Sequence, residues 1–490
     1  VAGVASNDRG RLADAMPPQT RPQVAFGGRG FGHGVGLQQW GARGAALAGL
    51  DTDAILAHYY PGAQIGPSTA REVRVLVSAG GGEVTVGTRG PGVVRDGATG
   101  RVLARLTSGA AYTLSRSGAG LTLAGPSGAA AAADLPAFLS VEPTGKGTVR
   151  LGDAGYRGRL RIQGAGEGIE VVNVVPLEDY LLGVVPREMP PSWGDDAPAA
   201  LRAQAVAARS YTLAIRRTGG TFDLYSDTRS QAYGGVGAED PRTTAAVRAT
   251  AGQVLTHDGD VITAYYSASS GGRTEDARNV FPSSQDRPYL RSVPDPYDAV
   301  SPYHRWTPTP TFDAERLGRL VGAPGPVAQI EVTRRGASPR VLDANVVTAW
   351  PRYARTPTTG TRLRAQLDLP DTWFTAVPRA LSADGTALPA RAGDPRSRVW
   401  LAVLNGAGTQ GLAGRTADRA ESLGYEAVST GDAPTRAEPS VVYWRPGSEA
   451  AAARAAGDLG IADVAPMPGD PALARTAPAG AQVVVLLGTG

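Results

Sequence analysis

The chain has 490 residues, 42% hydrophobic and 19% charged, a length that calls for roughly three domains at about 150 residues each and a composition that excludes both a largely disordered chain and a protein of many membrane spans. Forty-nine basic residues against 45 acidic ones leave a net charge of +4, and no basic stripe with interleaved aromatics accompanies it, which argues against nucleic-acid binding. Cysteine is absent, so disulfides, thiolate catalysis and cysteine-ligated zinc are excluded.

Residues 1–22 are polar and proline-rich and read as a disordered tail, either a mature end left after removal of a signal peptide or simply a chain boundary. Residues 23–66 hold the apolar run Val24–Phe26, a glycine-dense loop and a helical stretch through Leu47. A second helix over Ala54–Tyr60 is capped by Asp51 or Thr52 and stopped by Pro61-Gly62. Residues 67–145 open a β-rich region that runs on to Val175. Its alternating runs are Val73–Val77, Glu83–Val86, Val102–Leu106, Tyr112–Leu114, Leu121–Leu123, Leu160–Gln163 and Ile169–Val172, with glycine turns between them.

Pro176 sits where a helix should begin, and the prolines around Glu188-Met189 should break that helix over Val184–Pro191. Asp195 or Asp196 can cap a long helix to about Arg217, with Gly219-Gly220 as its stop. Ala203, Ala207, Ser210 and Ala214 give it a smooth face for close packing, and Arg202, Arg209 and Arg216 share another stripe. Residues 221–306 are loop-rich with one strand over Val261–Ser267. Residues 376–396 read as a linker, and 397–490 as a compact α/β domain of βαββαββ type. No stretch of eighteen apolar residues is present to cross a membrane.

Two motifs carry chemistry. Gly27-Gly28-Arg29-Gly30-Phe31-Gly32-His33-Gly34-Val35-Gly36 lies between a strand and a helix, as a phosphate loop would. It lacks the Gly-Lys-Ser/Thr of a P-loop, and the next segment is helical where a dinucleotide fold needs a strand ending in an acid. Nucleotide binding is therefore set aside. What remains is a tight loop able to present His33 and Gln39 close to a ligand. The second motif is Val174–Pro190. Glu178 and Asp179 fall in a first helical turn, where acids are favoured by the dipole. Glu188 stands among apolar residues and prolines, a setting that suits a general acid as well as a structural carboxylate.

Taken together, Gly28–Gly36 with Gln39-Trp40-Gly41-Ala42, Tyr156-Arg157-Gly158, Pro176–Pro190, Ala203–Tyr211, Gln231-Ala232-Tyr233, Ala264–Glu275, Asp295-Pro296-Tyr297-Asp298 and Ser301–Trp306 resemble the SpoIID/LytB family over roughly residues 23–375. The resemblance implies an α+β, β-rich core with residues 146–375 as its catalytic part. It implies a lytic transglycosylase acting on peptidoglycan glycan strands, or a non-catalytic wall-glycan binder that enhances an amidase. The family's glutamate falls on Glu188. Gln204 and Tyr211, seven apart on one helix face, are candidates to line the cleft, with His33, Gln39, Arg209, Ser269 and Ser270 as further substrate contacts; Arg209 could instead hold a carboxylate or a carbonyl.

The glycine-histidine motif precedes the core, as in a circular permutation, and where the family has Met-Ser-Gln-Tyr this chain has Leu37-Gln38-Gln39-Trp40. Some relatives bind zinc through cysteines near an Asp-Thr-x-x-Gln segment. Here Asp227-Thr228-Arg229-Ser230-Gln231 has none, so no metal and no cofactor are expected.

Val399–Gly408 with Gly411-Leu412-Ala413 resembles the LytR C-terminal domain, which implies attachment to the wall or to envelope assembly proteins. A secreted or wall-associated location follows from both resemblances, with a cell-wall amidase as a further candidate partner and no nucleotide or nucleic-acid partner. Every basic residue but Lys146 is arginine, a bias that looks like GC-rich coding and agrees with the actinobacterial look of the C-terminal domain.

Overall fold

A computed structural model gives the fold. It describes residues 21–490 apart from 69, 119, 127, 129, 167, 282–285, 307–309, 349–353, 382–395, 397–398, 426, 478–480 and 490. The tail over 1–20 and most of the expected linker lie outside the described residues. The fold is α+β, and the chain forms two compact units, one of Ala45–Tyr265 and one of the residues up to Gly44 together with Tyr266–Gly490.

The Ala45–Tyr265 unit joins a β-rich part to a helical part. A six-stranded and a seven-stranded sheet share one apolar core. Val86, Leu114, Leu121 and Val149 come from the first and Val94, Leu139, Val141, Leu160, Ile162 and Val171 from the second. Alternation along the strands places these side chains on the inner faces. The expected strands are present, several of them longer, as in Glu72–Gly81 and Gly168–Pro176; Gly92–Asp96, Ala130–Leu135 and Phe138–Pro143 are additional. Gly92–Asp96 and Ala130–Leu135 carry small or polar residues that weaken the alternating pattern, whereas Phe138–Pro143 does alternate. Thr52–Tyr59 is helical, and Asp51 accepts from the Ala54 N–H at 2.8 Å, as its capping position predicted.

Three expectations in the helical part change. The helix from Leu177 continues through Pro186 to Glu188 instead of breaking at Val184. A proline so near the end interrupts only the last turn, and the Met189 N–H still reaches the Val185 carbonyl at 3.0 Å. The long helix is Pro198–Ile215, and neither Asp195 nor Asp196 caps it. Proline in its first turn supplies the preset φ, and Asp195 is drawn to Arg242 at 2.8 Å. Its arginine stripe divides by partner, for Arg202 and Arg216 are exposed while Arg209 is fully buried. Ala203, Ala207 and Ser210 are buried as the packing face required, but Ala214 is exposed. Of the strand expected over Val261–Ser267, only Asp260–Val261 and Tyr266–Ser267 pair.

In the other unit, strand Arg21–Arg29 pairs antiparallel along its whole length with Trp373–Leu381. Residues 376–381 are thus strand, not linker, and the chain is already ordered at Arg21. Nine paired positions satisfy backbone groups that composition alone would have left to water. Val24, Phe26, Trp306, Leu317, Leu363 and Phe374 form the core beside them.

The C-terminal part is a five-stranded sheet in the order Ala427–Asp432, Trp400–Asn405, Val483–Leu487, Val441–Trp444, Asp463–Pro466. Helices Leu412–Ser422, Glu449–Leu459 and Pro471–Thr476 accompany it. The third helix is an addition to the expected βαββαββ order; Asp470 caps it by accepting from the Ala472 N–H at 2.8 Å. Among the described residues no helix is long and apolar enough to cross a membrane.

Candidate functional site

Glu188 is the last residue of helix Leu177–Glu188 and is half-buried. The C-terminal end of a helix carries partial negative charge, which makes it an unfavourable place for an ionised carboxylate. Two tyrosines lie within reach of its charge. Burial first, then Tyr265 and Glu188, push the Tyr211 phenol up to about 12. Burial, then Glu188 and Tyr211, push Tyr180 well above the usual phenol range. Both hydroxyls therefore stay protonated near neutral pH and remain donors.

The backing of this site is fixed by hydrogen bonds. Gln231, 2% exposed, accepts from the Thr212 hydroxyl at 2.7 Å and the Tyr180 hydroxyl at 3.3 Å, and donates to the Ala208 carbonyl at 3.4 Å. It ties the two helices together where the resemblance suggested only the remnant of a metal segment. Gly183 admits this packing, since a Cβ there would meet the Tyr233 ring at 2.7 Å. Gln204 is fully buried on the Pro198–Ile215 helix, and neither of its amide atoms has a hydrogen-bond partner among the described residues. Arg209 has a framework role. Its guanidinium takes both oxygens of Glu178, at 2.9 and 2.7 Å, and donates to the Gln253 carbonyl at 3.0 Å.

The glycine-histidine loop belongs to the other unit. Leu37-Gln38 pairs in parallel with Tyr266-Ser267. His33 is half-buried, its Nδ1 accepts from the Val35 N–H at 3.0 Å, and its ring meets Phe281 edge-on at 5.4 Å. Burial, with Arg340 and Arg364 nearby, brings His33 down to about 4, so it is neutral at physiological pH. Gln39 opens the helix Gln39–Leu47 and is half-buried. Its neighbour Gln38 is the fully buried amide, accepting from the Ser267 hydroxyl at 2.9 Å.

Ser269 and Ser270 are fully buried. Ser269 donates to Asp298 at 2.8 Å and Ser270 to Asp295 at 2.7 Å. Asp298 also accepts from the Ser270 and Gly271 N–H groups, each at 3.0 Å, and pairs with His304 Nδ1 at 3.0 Å. Beneath the loop lies the buried pair Arg340–Asp371, at 2.9 and 2.8 Å. Gly34, at φ +70°, leaves the room that the Arg340 guanidinium fills. Arg340 and Asp371 lie outside the motifs, 31 residues apart, and no local spacing marks them; His304 lies within Ser301–Trp306, but its pairing with Asp298 was not read from the motif.

This knot also meets the C-terminal domain. Arg29 and Arg305 both pair with Asp418 and Glu421 on helix Leu412–Ser422, Arg305 reaching Asp418 at 2.7 Å and Arg29 reaching Glu421 at 2.6 Å. His304 bridges Asp298 and Asp418, at 3.0 and 3.5 Å. Burial alone would lower it, but the two carboxylates raise it to about 9, so it is an imidazolium at neutral pH. Among the described residues no cluster of three or more His, Asp or Glu side chains is placed to hold a metal ion.

Residues 165–257 match the SpoIID family, "Stage II sporulation protein", and residues 398–490 match LytR_C, "LytR cell envelope-related transcriptional attenuator". The first match contains Glu188, Gln204, Arg209 and Tyr211. Among curated relatives, the amidase enhancer of Bacillus subtilis (strain 168) is 45% identical over 129 residues, 26% of this chain and 16% of that protein. Stage II sporulation protein D of the same strain is 33% identical over 168 residues, 31% of this chain and 47% of that one. Its counterpart from Bacillus amyloliquefaciens is 32% identical over 185 residues, 34% and 52%. The chain thus spans about half, or less, of the length of these relatives. The matches support a role related to the cell envelope.

Proposed function

We propose that the protein is a lytic transglycosylase of peptidoglycan, with Glu188 as its acid and base. The observation that carries the reading is one half-buried carboxylate at a helix end beside two phenols that remain protonated. Ordinary glycosidases need two carboxylates, one of them to activate water or attack the sugar. A transglycosylase needs one, because the substrate supplies the nucleophile. Glu188 donates its proton to the oxygen linking N-acetylmuramic acid to N-acetylglucosamine, and the C1–O bond breaks with the electron pair leaving on that oxygen. The carboxylate then takes the proton of the muramic 6-hydroxyl as O6 bonds to C1. Glu188 ends protonated, and the product carries a 1,6-anhydro end. Tyr211 offers a hydroxyl donor near the developing charge, and Gln204 an amide with no hydrogen-bond partner among the described residues.

Purified protein incubated with glycan strands, denuded or peptide-bearing, should yield anhydro ends by mass spectrometry, and Glu188→Gln should abolish them while still binding glycan. No anhydro product from the wild type on either substrate would overturn the reading. It would favour the second one, a wall-glycan binder that stimulates an amidase, which the amidase-enhancer relative motivates. Either role places the protein outside the cytoplasm with peptidoglycan as its partner. Residues 398–490 would then serve as an adaptor to wall or envelope assembly proteins.

A further inference from the structure

A cavity of about 980 Å³ lies where the C-terminal domain meets the knot around His304. It is lined by the C-terminal domain's own glycine loops, Gly406, Gly408 and Gly411 with Asn405, Gln410 and Thr435, and by Trp40, Arg43 and Arg305. Three arginines line it, Arg43, Arg305 and Arg436, against the single acid Asp432.

The arginines are differently committed. Two nitrogens of Arg305 are taken by Asp418 and Glu421, but the residue is 2% exposed and its Nε has no hydrogen-bond partner among the described residues. Arg436 is exposed, pairs with no acid among the described residues, and lies beside Gly408, whose φ of +71° only glycine holds at ease. Helix Leu412–Ser422 starts at this cavity with Gly411 as its N-cap, and glycine brings no side chain to its first N–H groups. Positive guanidinium groups and an uncapped helix start line the same cavity, and both favour an oxyanion. Trp40, with Arg43 stacked over its ring at 5.6 Å, adds an apolar plate of the kind that lies against a sugar or polyol face.

We propose that this cavity is a binding site for an oxyanion, a carboxylate or a phosphate ester, carried on a sugar or polyol. It is distinct from the Glu188 site and does not rest on the transglycosylase reading. It gives the C-terminal domain a ligand-binding role made jointly with the residues of the glycine-histidine unit. A wall offers both chemistries, as the carboxylate of a muramic residue stripped of its stem peptide and as the phosphodiester of a polyol phosphate polymer.

The test is calorimetric titration of the full chain with N-acetylmuramic acid, with glycerol phosphate, and with neutral N-acetylglucosamine. At least one anionic probe should bind saturably, and weaken on adding salt, while N-acetylglucosamine should not bind at this site. Arg436→Glu should weaken the anionic probe at least tenfold, and Thr435→Glu, on the exposed rim, should weaken it severalfold; unchanged thermal unfolding would establish that both variants are folded. Glu188→Gln should bind the probe as the wild type does, which separates this site from the catalytic one. Binding of the muramic probe alone identifies a carboxylate ligand, and of glycerol phosphate alone a phosphate ligand. Absence of saturable binding by both, or binding that Arg436→Glu leaves intact, would overturn the proposal.

Discussion

The helix pair around Glu188 and the knot around Asp298 are both built from polar residues that sequence motifs single out, and they spend those residues in opposite ways. At the knot every hydroxyl is committed. Ser269 and Ser270 are fully buried and bonded to Asp298 and Asp295. At the helix pair the framework role falls to Gln231 and Arg209, while Glu188 and Tyr211 stay half-buried and Gln204 keeps an amide without a partner among the described residues. A polar motif residue is thus available for chemistry only where something else holds the backbone. In the knot the motif residues themselves do the holding.

That contrast can be broken experimentally, beginning with the largest effect. Glu188→Gln should lower formation of anhydro product by about 100-fold or more, the usual contribution of a general acid, while shifting stability by less than about 1 kcal/mol; mass spectrometry and thermal unfolding read the two together. Asp298→Asn should do the reverse. It turns an amide donor toward the hydroxyl, N–H and imidazolium donors that surround the carboxylate, at a cost of about 3 kcal/mol, visible as a lowered unfolding midpoint. An Asp298→Asn protein with wild-type stability would mean that the knot is not structural. Tyr211→Phe sharpens the other side. Loss of one hydrogen-bond donor, worth about 1.4 kcal/mol, should slow product formation about tenfold with little change in unfolding.

The smallest effect concerns pH. His304 is raised to about 9 in the folded protein, against about 6.5 for an unfolded histidine. Its bridge to Asp298 and Asp418 is therefore fully stabilising below about pH 6.5 and is lost as pH rises through about 9. The pairs of Arg29 and Arg305 with Asp418 and Glu421 do not pass through His304, so the C-terminal domain should loosen only partly. Limited proteolysis near helix Leu412–Ser422 should accelerate above pH 9 in the wild type, and His304→Gln should be equally susceptible at pH 7 and pH 9. A pH-independent wild type would remove His304 from the contact.

By itself the sequence determined the β-rich region, the helix capped at Asp51 or Thr52, the C-terminal α/β order and the start of a helix at Leu177 that leads toward Glu188. Alternation, capping residues and glycine turns act over a few neighbours and so can be read locally. The extent of the Leu177–Glu188 helix was misread because Pro186 looked like a break, whereas a proline in a final turn costs one hydrogen bond that the following residues do not need. Strand Trp373–Leu381 was taken in part for linker because its partner lies more than 300 residues earlier. Only the tertiary structure decided which polar residues are framework. Arg209, Ser269 and Ser270 resemble substrate contacts in sequence, yet their acceptors Glu178, Asp298 and Asp295 are brought to them by folding. Whether a charged or hydroxyl group is left for a ligand depends on which partners packing places within about 3 Å of it, and that distance is a property of the fold, not of the spacing along the chain.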